Sequence, residues 1–286
     1  MTREFAPEYS RTGEGWVKFP PDSDYRKRIF PFLNLSDHPA KANLYMLQAC
    51  IEYVSEPEQL ILDPMAGTGS ILVAALIGRR VMCMELEKPY HDIIQQGIQC
   101  IDEIAPGASN QIVFIPTDCR LVMPIPVDHI IFSPPYSNIL KKKSLDKLSA
   151  EMIGGGLLSY SKDPRNIGNL NDFIYRQEME KVYKKCYDSL PAGGTLTIII
   201  KNHIEQGKEI DLSGQARDDC ILAGFQQKDW FKWRPPGAAY TSFMRARGDK
   251  VVDVEDLVIM QKPSVVEIPA YQYGNVYAGE PVLATA

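Results

Sequence analysis

The chain has 286 residues and a mass of 32.2 kDa, enough to bury one large core or at most two modest ones. It is 45% hydrophobic and 23% charged, its mean hydropathy is −0.19, and no apolar run approaches the roughly 20 residues that cross a bilayer. A net charge of −5 excludes a uniformly basic nucleic-acid binder, but residues 137–190 carry ten Lys/Arg against seven Asp/Glu and the remainder 21 against 29, so the central segment is locally basic.

Residues 1–36 are rich in proline, aromatic and charged residues without periodicity, which predicts an irregular arm. A helix is expected to begin near His38-Pro-Ala-Lys41, with Asp37 as its cap, and Leu44, Leu47, Ile51 and Val54 recur at helical spacing. Strands are predicted at 59–62, 80–85, 111–115, 128–132 and 195–200. Helices are predicted at 70–78, 91–104, 173–190 and 211–223. A final strand pair is expected at 226–233 and 254–261, with 231–247 as its connecting loop.

Alternation of strands and helices predicts an α/β fold with a mostly parallel, doubly wound sheet and a C-terminal antiparallel strand hairpin. The expected organisation is an arm (1–36), one domain (37–263) interrupted by an insertion at 137–172, and a tail (264–286). The first residues, Met1-Thr-Arg-Glu-Phe-Ala-Pro7, show neither an apolar signal core nor a cleavage site, so a cytoplasmic protein is expected. Six cysteines without a Cys-x-x-Cys pair predict free thiols and no metal site.

Two motifs carry the chemistry, and each ends an apolar strand. Asp63-Pro-Met-Ala-Gly-Thr-Gly-Ser70 is a glycine turn with neither the lysine of a phosphate loop nor a complete dinucleotide fingerprint. Gly67 and Gly69 allow close backbone approach, which suits a ligand with an amino-acid end and an adenosine end, although an ordinary strand-to-helix turn has the same glycines. Glu85, at the end of the next strand, is placed to accept both ribose hydroxyls, or is a surface carboxylate. Asp118 is placed to accept an adenine amino group, or to cap a turn or helix. Leu86 and Cys119 adjoin these two carboxylates.

Ser133-Pro-Pro-Tyr136 is the stiffer motif, because two consecutive prolines fix φ and leave carbonyls facing outward. An exocyclic base amine is a poor nucleophile. Hydrogen bonds to the Ser133 hydroxyl and the Pro134 carbonyl would favour a tetrahedral nitrogen, with its lone pair aimed at an electrophilic methyl group. Tyr136 would stack on a base flipped from its duplex. A proline-rich loop with a packed tyrosine is the structural alternative.

Together the two motifs resemble the cofactor and catalytic motifs of the amino-methylating DNA methyltransferases, which modify adenine N6 or cytosine N4. The resemblance runs from about His38 to Pro263. It implies a Rossmann-like methyltransferase fold and S-adenosyl-L-methionine as cofactor. The cofactor would be held by His38, Pro39, Lys41, Asp63, Pro64, Met65, Ala66, Gly67, Thr68, Gly69, Ser70, Glu85, Leu86, Asp118, Cys119 and Ser133. The catalytic residues would be Ser133, Pro134, Pro135 and Tyr136. The serine form resembles the cytosine-N4 members, and Asn166-Ile-Gly-Asn-Leu170 resembles a stretch common after the catalytic motif.

Met65 stands where the family often has phenylalanine, and the cofactor motif precedes the catalytic one, unlike many cytosine-N4 enzymes. With a short tail, sequence selection would fall to 137–172 and 231–247. Lys141, Lys142, Lys143, Lys147, Arg234, Arg245 and Arg247 are the candidate DNA contacts, each of them singly also explained as a solvated charge. DNA is the implied partner. A homodimer and a cognate restriction endonuclease are compatible with the resemblance but are not written in particular residues. The competing functions are DNA adenine-N6 methylation, RNA or protein amino-methylation, and a non-catalytic cofactor-binding DNA module.

Overall fold

A computed structural model describes residues 3–32, 42–136, 163–235 and 239–264. Its frame is a seven-stranded sheet. The strands are β1 (Leu60–Asp63), β2 (Arg80–Met84), β3 (Ile112–Ile115), β4 (His129–Phe132), β5 (Thr195–Ile200), β8 (Gln226–Trp233) and β9 (Glu255–Gln261). A separate hairpin, β6 (His203–Glu205) and β7 (Lys208–Ile210), follows β5. The sheet order is β3-β2-β1-β4-β5-β9-β8, parallel from β3 to β5, with β9 antiparallel to both of its neighbours. This is the doubly wound sheet with a terminal hairpin that the sequence predicts.

The helices are α1 (Ser23–Ile29), α2 (Leu44–Val54), α3 (Lys88–Ile104), α4 (Cys119–Val122), α5 (Asp172–Ser189), α6 (Leu212–Ala223) and α7 (Ala239–Ala246). The central strands β1, β4, β5 and β9 bury both faces, which explains their largely apolar runs, while the edge strands β3 and β8 are half-buried or exposed. Ile61, Ile131, Leu257 and Ile259 pack with α2, α3 and the N-terminal segment. Their strand neighbours Leu62, Ile130, Phe132, Val258 and Met260 pack with α5 and α6 on the opposite face.

The chain winds outward from β1 to β3 and then crosses back to β4 on the other side of β1. That reversal opens a crevice at the C-terminal ends of β1 and β4, the usual ligand position in such sheets. Both sequence motifs begin there.

Several local expectations are corrected. α2 starts at Leu44 and is capped by Asn43, whose side chain accepts from the Met46 N–H at 3.1 Å, rather than by Asp37. Asn43 also donates to the Pro20 carbonyl at 2.9 Å, a tertiary contact that fixes the cap. Ser70–Ile77 is a 3-10 helix between two left-handed glycines, Gly69 and Gly78. The loop expected at 231–247 contains the end of β8 and all of α7, a Gly- and Pro-free stretch that stops before Gly248.

The N-terminal segment is built into the core. Phe5 stacks on Phe231 with ring centroids 4.3 Å apart, and Phe19 meets Trp233 edge-on. Val17 adds a bridge to the sheet edge: its N–H donates to the Lys232 carbonyl, and its carbonyl accepts from the Arg234 N–H, both at 3.0 Å. Aromatic burial needs no regular period, so this packing left no pattern to read in the sequence.

Candidate active site

Gly67 and Gly69 both adopt positive φ, 53° and 80°, so the turn after β1 folds tightly under the crevice. Asp63 ends β1 buried and accepts from the Met65 N–H at 2.9 Å. Burial, opposed by that bond and aided by the nearby Glu85 charge, pushes its carboxyl up to about 8. Glu85 follows β2. One of its oxygens accepts from Gly67 N at 2.7 Å and the other from Glu87 N at 2.7 Å. Burial outweighs those bonds and raises it to about 7.

Behind the turn lies Arg26 of α1, buried, donating to Ser70 Oγ at 3.1 Å, Asp22 at 2.7 Å and the Ala42 carbonyl at 2.5 Å. Arg26 was not a sequence candidate. Its signal was the i, i+4 spacing from Asp22 on a predicted arm.

One cavity brings the two motifs together. Its lining includes Asp63, Pro64, Met65, Ala66, Gly67, Thr68, Ser70, Glu85, Leu86, Asp118 and Cys119 from the cofactor set, with Ser133, Pro134, Pro135 and Tyr136. Gly69 shapes the turn without lining the cavity. His38, Pro39 and Lys41 lie outside the described residues, as do Lys141, Lys142, Lys143 and Lys147 and most of the 137–172 insertion. The lining also holds residues that were not candidates: Glu87, Tyr90, Thr117, Arg120 and the segment Arg165, Asn166 and Ile167.

Ser133 is exposed and Pro134 buried, so the hydroxyl stands at the rim of the cavity on a rigid base. The Tyr136 hydroxyl accepts from the Lys201 N–H at 3.0 Å, just past the end of β5. The ring is thereby fixed between this cavity and a second one between α5 and α6, which is also lined by Arg176, His203 and Asp219.

Asp118 takes the capping role. It caps α4 by accepting from Arg120 N at 3.0 Å and also receives the Arg120 guanidinium, Nη2 to Oδ2 at 2.7 Å and Nε to Oδ1 at 3.0 Å. Three Arg120 N–H groups thus share the carboxylate expected to meet an adenine amino group, and one of its four acceptor positions stays open.

The described DNA-contact candidates lie away from the cavity and carry carboxylate partners. Arg234 sits over the Trp16 ring at 4.9 Å and 3.5 Å from Asp253, which also pairs with Arg245. Arg247 is 3.5 Å from Asp249. Among the described residues no group of three His, Cys, Asp or Glu is arranged for a metal ion, and no helix is long and apolar enough to cross a membrane.

The sheet order, with its reversal between β1 and β4, is that of the Rossmann-like methyltransferase fold. A crystal structure of a methyltransferase from Pyrococcus furiosus shares the fold with a TM-score of 0.50 at 12% identity, covering 85% of this chain and 94% of that one.

Residues 6–96 match the N6/N4 methyltransferase family described as DNA methylase. The Escherichia coli (strain K12) protein named "Putative methylase YubD" is 40% identical over 81 residues, 28% of this chain. Both findings support the amino-methylating DNA methyltransferase family. The match spans 36% of that relative's length. The family match covers α1, α2, β1, the glycine turn, β2 and the start of α3, and ends before Ser133.

The residues present fit S-adenosylmethionine. The Glu85 carboxylate takes backbone donors from Gly67, Glu87 and Leu86, which leaves one of its four acceptor positions for a ribose hydroxyl. Met65, Leu86, Phe132 and Ile167 line the cavity with apolar atoms that would flank a base.

Proposed function

We propose that this protein is an S-adenosylmethionine-dependent DNA methyltransferase acting on the exocyclic N4 amino group of cytosine. The observation that carries this reading is the single cavity shared by the glycine turn, Glu85 and the Ser133-Pro-Pro-Tyr136 loop. When bound, the cofactor supplies an electrophilic methyl group on a sulfonium.

The residues of the chain do the rest. Glu85 accepts from the ribose hydroxyls, and the Gly67–Gly69 turn leaves room for the amino-acid end. Ser133 Oγ and the Pro134 carbonyl accept the two amino protons of the target base, which localises the nitrogen lone pair for in-line attack. Tyr136, held by its hydroxyl, offers a ring of fixed orientation for stacking. The amino proton becomes acidic only as the new C–N bond forms, so weak acceptors suffice.

DNA is the proposed partner. Adenine-N6 methylation is the second reading, favoured by a family match that embraces both N6 and N4 enzymes.

The test is mass spectrometry of nucleosides from DNA incubated with protein and S-adenosylmethionine, with RNA in parallel. N4-methylcytosine is expected. N6-methyladenine would keep the chemistry and overturn the assignment of cytosine, and methylated RNA alone would overturn DNA. In the same assay Ser133→Ala should lower turnover roughly 10²- to 10³-fold while S-adenosylhomocysteine binds as before. Unchanged turnover would remove Ser133 from the mechanism.

A further inference from the structure

Tyr136 closes the Ser133-Pro-Pro-Tyr136 motif, and Pro134 and Pro135 before it have no N–H with which to tie the loop to a neighbouring strand. Pairing of β4 with β5 ends at Phe132 and Ile198, and pairing of β5 with β9 ends at Ile200 and Asp256. The chain leaves the sheet after Ile200, and the next N–H, that of Lys201, goes to the Tyr136 hydroxyl at 3.0 Å. Packing leaves the ring room to move. The cofactor cavity lies on one side of it, and on the other lies the second cavity, about 300 Å³, lined by Tyr175, Met179, Tyr183 and Ile200. The orientation of the ring therefore depends on where the Lys201 backbone stands.

That backbone is fastened by the next side chain. Asn202 is buried; its Oδ1 accepts from the Ser213 N–H at 3.1 Å, and its Nδ2 donates to Glu209 at 2.9 Å and to Asp211 at 3.3 Å. One amide thus gathers the end of β5, strand β7 and the start of α6, which Asp211 caps by accepting from the Gly214 N–H at 2.9 Å. The Ser213 hydroxyl, with a single proton to give, lies 2.8 Å from Asn202 Oδ1 and 2.9 Å from Asp256 Oδ2. Asp256 is 1% exposed and accepts from Trp230 Nε1 at 2.7 Å and from Lys232 Nζ. The loop after β5 is anchored in this way as far as the edge strand β8.

We propose that Asn202 is a positioning residue for the methyl-transfer site: it fixes the Lys201 backbone and, through that N–H, the Tyr136 ring on which the target base stacks. The proposal rests on the methylation reading above and deepens it. Asn202 is not among the residues lining either cavity, so it acts through Tyr136 and not by touching cofactor or base.

The experiment reads the free protein and its turnover separately. Tyrosine isotope-labelled at Cζ, with Tyr136→Phe to assign the Tyr136 signal, reports the hydroxyl hydrogen bond by nuclear magnetic resonance, and amide exchange at Lys201 reports its donor. Rates on amplified, unmethylated DNA of mixed sequence with S-adenosylmethionine give kcat, and calorimetry gives the affinity for S-adenosylhomocysteine.

In Asn202→Ala the Tyr136 Cζ signal should move, and exchange at Lys201 should rise about tenfold. In the same variant kcat should fall about tenfold while S-adenosylhomocysteine binds as in wild type. Tyr136→Phe keeps the ring and loses the anchor, so it should cost about as much, and adding Asn202→Ala to it should cost almost nothing more. Losses that multiply in the double variant would show that Asn202 acts by another route and would overturn the proposal, as would an unmoved Cζ signal in Asn202→Ala. If wild type methylates no nucleic acid, the methylation reading fails, while the Cζ signal and Lys201 exchange still decide whether Asn202 holds the ring. Should Asn202→Ala not fold, Glu209→Ala, at an exposed position of the hairpin, removes the nearer acceptor of Nδ2 and should move both signals in the same direction. Unmoved signals there would overturn the proposal.

Discussion

The two sides of the cofactor cavity are built by different means. On one side the Gly67–Gly69 turn meets Glu85 through a backbone N–H, and Arg26 braces the turn from behind with bonds to Ser70, Asp22 and Ala42. All of it lies within the stretch that matches the DNA methylase family. On the other side Arg120, paired with Asp118, and Glu87 meet partners far along the chain: Glu178, the Arg165 carbonyl and Asn166. The first side holds its carboxylate by backbone N–H groups, and the second holds its carboxylate by an arginine that reaches distant parts of the chain.

Removing Arg26 should break the first side most severely. Arg26→Ala leaves Asp22 and the Ala42 carbonyl without their buried donor. Denaturant unfolding should show a loss of about 3 kcal/mol, as for a broken buried ion pair. A loss below about 1 kcal/mol would mean that the brace adds little beyond packing.

Glu85 is tested through affinity. Glu85→Gln should weaken S-adenosylhomocysteine by about 2 kcal/mol, or roughly 30-fold, the scale of a lost hydrogen bond to a charged group. The pH dependence has a definite sign. Burial raises Glu85 to about 7, so in the ligand-free protein it takes up a proton as pH falls through that value and loses the acceptor position left for the ribose. Affinity should therefore hold above pH 7 and decline below it, and Glu85→Gln should flatten that decline. A decline that persists unaltered in the variant would assign it to another group, with Asp63 the first to examine.

The smallest effect concerns the turn. Gly69→Ala would force an L residue to φ +80° and bring a Cβ within 3.2 Å of Ile94 Cγ1 and 3.3 Å of Leu72 Cδ1. A loss of about 1–2 kcal/mol is expected in thermal unfolding, with a weaker effect on binding. Affinity lost with no change in stability would show that this glycine is needed for ligand approach instead.

The sequence by itself determined the sheet, because strands buried on both faces must be apolar throughout, and the runs ending at Leu62, Phe132 and Ile200 are. It also determined the two motifs, whose glycines and prolines write backbone constraints directly into residue identity. Glu85 was legible because the strand before it fixes its place at the end of β2.

Tertiary structure decided what those positions touch. Nothing local told that the Arg120 guanidinium, two residues from Asp118, would also reach Glu178 and Arg165, which stand 58 and 45 residues away. The cap at Asn43 and the burial of Phe5, Val17 and Phe19 likewise depend on surfaces assembled from distant parts of the chain. Periodicity records how an element meets the core. The pairing of one side chain with another is settled only when folding brings both to the same crevice.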